Sequence, residues 1–242
     1  MGGSRRFKNK PCVYCLNGIS ATGDHVFPRE IFEVEDRDNI PKVPACERCN
    51  NEKSHLEHYL LSVLPFGGVH SNAEKNLSID AARRLKKNNK LQTYLRQGMS
   101  HVHHPREGTD QERRLGIPID GNKLHKFSEL VCKGLLWHHW KCLVPSEYTV
   151  KAFTPSPAGL DFVGSLFNMN ATHRINANLG DGTVRYKGSM SDADECLSVW
   201  ALQLLGGITI TDESQSFVFD HSLVAVLVGP KRFVKENGRV FA

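Results

Sequence analysis

The sequence contains no run of about 18 apolar residues, so no membrane-spanning helix is expected. It also lacks internal repeats and low-complexity tracts, which excludes a solenoid and leaves no segment that composition alone marks as disordered. The basic start, RRFKNK, is not followed by the apolar segment that a secretory signal requires. Cysteine is present in an odd number, seven, and four of the seven fall into two Cys-x-x-Cys pairs. That pattern points to metal binding in a reducing, intracellular compartment rather than to a disulfide framework. Cys132, Cys142 and Cys196 lie in apolar surroundings and are expected to be buried, reduced thiols. With 40% hydrophobic and 24% charged residues over 242 positions, the chain has the composition of an ordinary soluble protein and can bury a core without staples.

Acidic residues do not balance the basic ones. The formal net charge is +5, and residues 75–114 hold ten lysines and arginines against four acids, so the positive excess of the whole chain is concentrated there. Such a stretch suits a polyanionic partner, with Arg83, Arg84, Lys86 and Lys87 as the expected nucleic-acid contacts. The plain alternative is the solvated face of a helix.

The pattern of apolar positions divides the chain. Residues 1–10 are expected to be a flexible N-terminus, and 11–66 a compact metal-dependent module closing with a helix that runs from about Asn50 to Pro65. Residues 67–114 form a basic helical connector, with one or two helices over 72–99 interrupted near Asn88 and Asn89 and then a polar loop, HVHHPREGTD. Residues 115–242 form a second domain: an apolar helix over 122–143, then short runs rich in Val, Ile, Thr and aromatics separated by Gly, Asp and Pro turns. These runs predict an antiparallel sheet packed on that helix. His138 and His139, flanked by tryptophans, are expected at the edge of the core, and the tail after residue 229 is too short to be a domain.

The chemistry is concentrated in the first module. Cys12 and Cys15, then Cys46 and Cys49, supply four thiolates in two chelating turns, the donor set of a closed, structural zinc site. A module this small depends on such a metal for folding. Between and beside the cysteines stand Asp24, His25, Asn39 and Asn50. A carboxylate and a carboxamide suit a hard divalent ion such as Mg²⁺ or Mn²⁺, and a neutral imidazole suits deprotonation of water. Neighbours on a strand point to opposite sides, so Asp24 and His25 can serve different partners.

Cys-x-x-Cys, Asp24-His25-Val26-Phe27-Pro28, Asn39-Ile40 and Cys46-x-x-Cys49-Asn50-x-x-Lys53 together resemble the HNH endonuclease family, over about residues 11–55. The resemblance implies a ββα-metal nuclease fold nested on a four-cysteine zinc frame. It implies His25 as general base, Asp24 and Asn50 as holders of the catalytic Mg²⁺ or Mn²⁺, Asn39 as the residue that orients the His25 ring, and Lys53 as a phosphate contact. Asn50 stands where many relatives have histidine; Asn51, His55 and His58 on the same helix are the alternative ligands. The loop between Pro28 and Asn39 is acidic and lacks the double glycine frequent in the family.

The expectation is an α+β protein: an N-terminal zinc-stapled ββα-metal module, helices, then a mixed helix and antiparallel-sheet domain of unknown role. As the family resemblance implies, it hydrolyses DNA phosphodiesters in the cytoplasm of a bacterial or phage setting, in restriction or antiviral defence. The alternatives are a nuclease acting on RNA and a non-catalytic zinc-dependent nucleic-acid-binding module. A second copy of the chain or a regulatory protein is the other partner class left open, and no membrane is expected.

Overall fold

Residues 22–25, Thr-Gly-Asp-His, carry one side chain that favours strands, Thr22, and two residues that disfavour them, Gly23 and Asp24, yet they form one. Their conformation is set by pairing and by the cysteine turns around them rather than by propensity. The computed structural model describes residues 5–104, 112–169, 172–208, 210–211, 218–219 and 223–238. In it β1 (Thr22–His25) runs antiparallel to β2 (Lys42–Ala45), with Asp24 opposite Val43 and His25 opposite Lys42. Pro44 is tolerated in β2 because the ladder has only two strands, and its carbonyl accepts the Val13 N–H from the first cysteine turn. Helix α1 (Glu47–Val63) follows directly and ends where Pro65 forces a short 3₁₀ turn, Leu64–Phe66.

The basic connector is helical in pieces: α2 (Ser71–Lys75), a π-helical stretch over Asn76–Ala81, α3 (Ala82–Lys87) and α4 (Asn89–Gln97). The break expected near Asn88 is present, and the Asn88 side chain caps α4 by accepting the Leu91 N–H at 3.1 Å. The segment expected to be a polar loop is instead a hairpin, β3 (Ser100–His104) with β4 (Glu112–Gly116); residues 105–111 lie outside the described ones. Its strands are too polar for alternation to betray them.

Helix α5 (Gly121–Trp140) is the longest element. Asp120 caps its start and Lys141, in the left-handed region at φ 57°, closes its end by donating from Nζ to the carbonyls of Trp137 and His138. The strands β5 (Tyr148–Phe153), β6 (His173–Leu179), β7 (Val184–Met190), β8 (Ser198–Leu204) and β11 (Leu223–Pro230) form an antiparallel sheet in the order β5-β11-β8-β7-β6. Between β8 and β11 the short strands β9 (Ile210–Thr211) and β10 (Val218–Phe219) pair with each other. α5 packs against the central sheet, as the sequence predicts. Two further helices, to which the sequence reading assigns no element, interrupt and follow the strands: α6 (Pro157–Met169) and α7 (Lys231–Gly238) in the tail.

One buried cluster runs from Cys12 in the first cysteine turn, through Leu60 of α1 and Leu135 of α5, to Val228 of β11. The segments 11–66, 67–114 and 115–242 all contribute to this cluster, and 115–242 has a second, smaller one of its own around Val163, Val199, Leu227 and Val234. Of residues 5–10, expected to belong to a flexible N-terminus, Phe7 alone is buried: it sits where a side chain on Gly23 would be, and its ring centre lies 6.3 Å from that of Trp137, while its neighbours are exposed. Cys142 and Cys196, expected as separate thiols, are brought together as a disulfide pair with Cα atoms 6.0 Å apart; a sequence separation of 54 conceals such a pairing. Cys132 is a buried free thiol, as expected.

α5 meets the first module along much of its length, and two of the contacts lie beside the first cysteine turn and the end of β1. Lys133 Nζ donates to the Tyr14 carbonyl at 2.9 Å, and Gly134 presents bare backbone to Val26, so that a Cβ there would stand 2.8 Å from Val26 Cγ2. Val26 is fully buried and cannot swing into solvent. Alanine at position 134 would gain about 1 kcal/mol of helix propensity against this crowding, but valine recovers less of it and adds more bulk. Gly134→Val is expected to destabilise the fold by about 1–3 kcal/mol, seen as a lower urea midpoint at unchanged slope.

Candidate functional site

Two tight turns bring the cysteines together. In the first, the N–H groups of Tyr14 and Cys15 point at the Cys12 sulfur and that of Gly18 at the Cys15 sulfur; in the second, the start of α1 presents Cys49 one turn after Cys46. The four sulfurs lie within 4.8 Å of one another, and Cys15 Sγ is 3.8 Å from Cys46 Sγ. A tetrahedral zinc with bonds of about 2.3 Å requires sulfurs about 3.8 Å apart, so the cluster fits such a metal ion. Gly18 is needed at its place: a Cβ there would lie 2.8 Å from Cys46 Cβ and 2.9 Å from its sulfur. Burial raises the Cys12 and Cys49 thiols above their ordinary range. At Cys15 burial acts in the same direction, but the Gly18 N–H and the neighbouring thiols prevail and lower it to about 7. Among the described residues this is the one group of three or more His, Cys, Asp or Glu side chains gathered closely enough to hold a metal ion.

Asp24 points from β1 toward α1. Its Oδ2 accepts the Tyr14 hydroxyl at 2.5 Å and pairs with Lys53 Nζ at 3.1 Å. Lys53 is fully buried, and its ammonium also donates to the Glu57 carboxylate and, at 2.6 Å, to the His25 carbonyl. Lys53, Glu57 and Asp24 thus form a desolvated ion cluster that pins β1 to α1. This corrects the expected role of Lys53: an ammonium with no exposed surface has nothing to present to a phosphate. Burial raises Glu57 above the usual carboxylate range although Lys53 opposes it, and burial together with Asp24 pushes the Tyr14 phenol well up, which keeps it a donor.

His25 is half-buried. Burial, with the positive Lys42 and Arg29 nearby and only partial compensation from Asp24, lowers it to about 4, so the imidazole is neutral at neutral pH and able to accept a proton. Asn50 is half-buried and lies one helical turn before Lys53 on α1. Asn39 is exposed in a turn, and among the described residues it makes no hydrogen bond to His25, so the expected orienting contact is not present in this geometry.

His55 and His58 do not face Asp24. With Tyr59 they line a cleft of about 1040 Å³ on another side of α1, closed by α3, α4 and the start of α5. Of the expected nucleic-acid contacts, Arg83 is exposed and pairs with Asp80 at 2.7 Å, and Arg84 is mostly covered, its guanidinium bound to Glu30 and holding that carboxyl below its usual range. Lys86 and Lys87 are exposed, and Lys87 lines the cleft. Sequence periodicity placed these residues on helices but gave no sign that the helices fold back to enclose a cleft. No helix among the described residues is long and apolar enough to cross a membrane. Comparison with protein families, with curated proteins and with solved structures finds no match to the chain, so no relative supplies a role for any of these residues.

The purified chain is expected to carry about one zinc per molecule by elemental analysis, and Cys49→Ser to lose it together with the cooperative unfolding of the module. Lys53→Met leaves two buried carboxylates without their counter-ion and is expected to destabilise by about 3–5 kcal/mol in urea titrations. Because Lys53 is covered, the same substitution should leave the salt dependence of any nucleic-acid binding unchanged.

Proposed function

We propose that the chain is a metal-dependent endonuclease that hydrolyses DNA phosphodiesters, with the unit formed by β1, β2 and α1 as its catalytic module and zinc in the four-cysteine site as its structural staple. What carries the reading is one arrangement. A hairpin and helix hung on the four sulfurs set Asp24, a half-buried uncharged His25 and Asn50 in the order and spacing that resemble the HNH pattern.

In this reading an imidazole nitrogen of His25 takes a proton from the attacking water, which its neutral state permits. The donor chemistry of Asp24 and Asn50, one carboxylate and one amide oxygen, fits a hard divalent ion such as Mg²⁺ or Mn²⁺ completed by water and substrate oxygens. When bound, that ion supplies charge for the phosphate oxygens as they become more negative. Asp24 Oδ2 is taken by Tyr14 and Lys53, so Oδ1 is the atom left for it. Lys53 acts through Asp24 and the His25 carbonyl: it fixes both residues against α1 and touches no substrate.

The test is incubation of supercoiled plasmid, linear duplex, single-stranded DNA and RNA with the protein, with and without Mg²⁺ or Mn²⁺. Cutting should require the metal, and His25→Ala should lower the rate by about 10²–10⁴-fold while zinc content and unfolding midpoint stay near those of the parent. Cutting of RNA alone would change the substrate class. Absence of cutting on every substrate, or full activity in His25→Ala, would refute the assignment.

A further inference from the structure

The cleft behind α1 is built, charged and aromatic, and nothing in the reaction at His25 uses it. One wall is α1, which contributes His55, His58 and Tyr59; the other is the bend between α3 and α4, held open by the Asn88 cap, with Lys87, Lys90 and Tyr94 facing inward. The start of α5 closes the end, where Lys123 lies over the Tyr59 ring at 4.3 Å and the Tyr59 hydroxyl accepts the Asp120 N–H at 2.7 Å. Asp24, His25 and Asn50 are not among its lining residues.

Charge in the cleft is unbalanced. Its two carboxylates are already matched, Glu30 by Arg84 and Asp120 by Lys123 at 3.1 Å. Lys87 and Lys90 are exposed and pair with no carboxylate among the described residues. They lie three residues apart across the bend and direct surplus positive charge at whatever enters. Beside them Tyr94 keeps half its surface in solvent, an aromatic ring that the core does not use.

We infer that this cleft binds a single strand of nucleic acid, its phosphates against Lys87 and Lys90 and a base stacked on Tyr94. Free cations beside an accessible ring are the two parts that single-strand binding needs, since each base offers a face for stacking and each linkage a charge. A duplex fits poorly, because its base faces are covered by their neighbours and are not free to stack on the Tyr94 ring. An acidic peptide would use the lysines but leave Tyr94 idle. The inference deepens the nuclease reading by naming the form of substrate the protein holds, and its test separates the two.

Binding is measured by fluorescence anisotropy on the His25→Ala chain without divalent metal, using a labelled single strand of about twelve nucleotides, the same sequence as a duplex, and polyglutamate. The single strand should bind tightest. Lys87→Glu with Lys90→Glu should weaken it at least tenfold and flatten the slope of log affinity against log salt by about 1.4, the value for two phosphates on a single strand. Tyr94→Ala should weaken it about tenfold with the slope unchanged, a pattern that loss of charge cannot mimic. Zinc content and unfolding midpoint, measured on each variant, confirm that the fold persists. Tighter binding of duplex or of polyglutamate, or indifference to both sets of substitutions, overturns the inference. It falls alone if the parent chain still cuts DNA, and it stands alone if the strand binds as described and no substrate is cut.

Discussion

Four thiols within 4.8 Å of one another are the constraint on which the first sixty residues depend. As thiolates they repel and as thiols they are poor partners for one another, so a cation among them would strengthen the junction of the turn at 12–15 with the start of α1, which backbone bonds such as Val13 N–H to the Pro44 carbonyl also tie. Everything nearby is arranged to that end: Gly18 yields the room, backbone N–H groups face the sulfurs, and Lys133 reaches over from α5 to hold the Tyr14 carbonyl in the first turn. Because the same two turns fix the ends of the β1–β2 hairpin and of α1, they also fix where Asp24 and His25 stand.

A second electrostatic device works inside the first. Lys53 with Asp24 and Glu57 joins strand to helix by charges largely taken out of water, an arrangement in which removing one partner costs more than the intact cluster contributes. Its effect on the two neighbours in β1 is unequal. Asp24 is drawn inward and held by two donors, while His25 keeps only its carbonyl in the network and leaves its ring uncharged on a half-open surface. Two consecutive polar residues of β1 thereby face different surroundings, one held in an ion cluster and one left half-open to solvent.

Some of this was legible in the residue order and some was not. The Cys-x-x-Cys spacing announces the four-sulfur cluster, and the helical repeat of Leu124, Phe127, Val131 and Leu135 announces the helix on which the sheet packs. The buried state of Lys53 was hidden, because Lys53 and Glu57 four residues apart look like an ordinary surface ion pair and Asp24 lies 29 residues away. Asn39 sits at the motif position, yet the acidic loop before it leaves it exposed in a turn, and motif order carries no information on that local geometry. The apolar helix over Pro157–Met169 was invisible because Gly, Phe and Val serve strands and buried helices equally, and the pairing of Cys142 with Cys196 because nothing local joins them.

Helix α5 spans about 30 Å, and three unrelated tasks are spread along it. Its first turn closes the cleft through Asp120 and Lys123, Gly134 in its middle abuts Val26 next to His25, and Trp137 near its end meets Phe7. A rod in contact at three stations has no freedom to tilt at one of them alone. At Gly134 the contact is made by bare backbone against the buried side chain of Val26, the residue after His25, about 16 Å along the helix from Lys123. The bare backbone of one glycine thus sets how closely α5 can approach the end of the strand that bears His25.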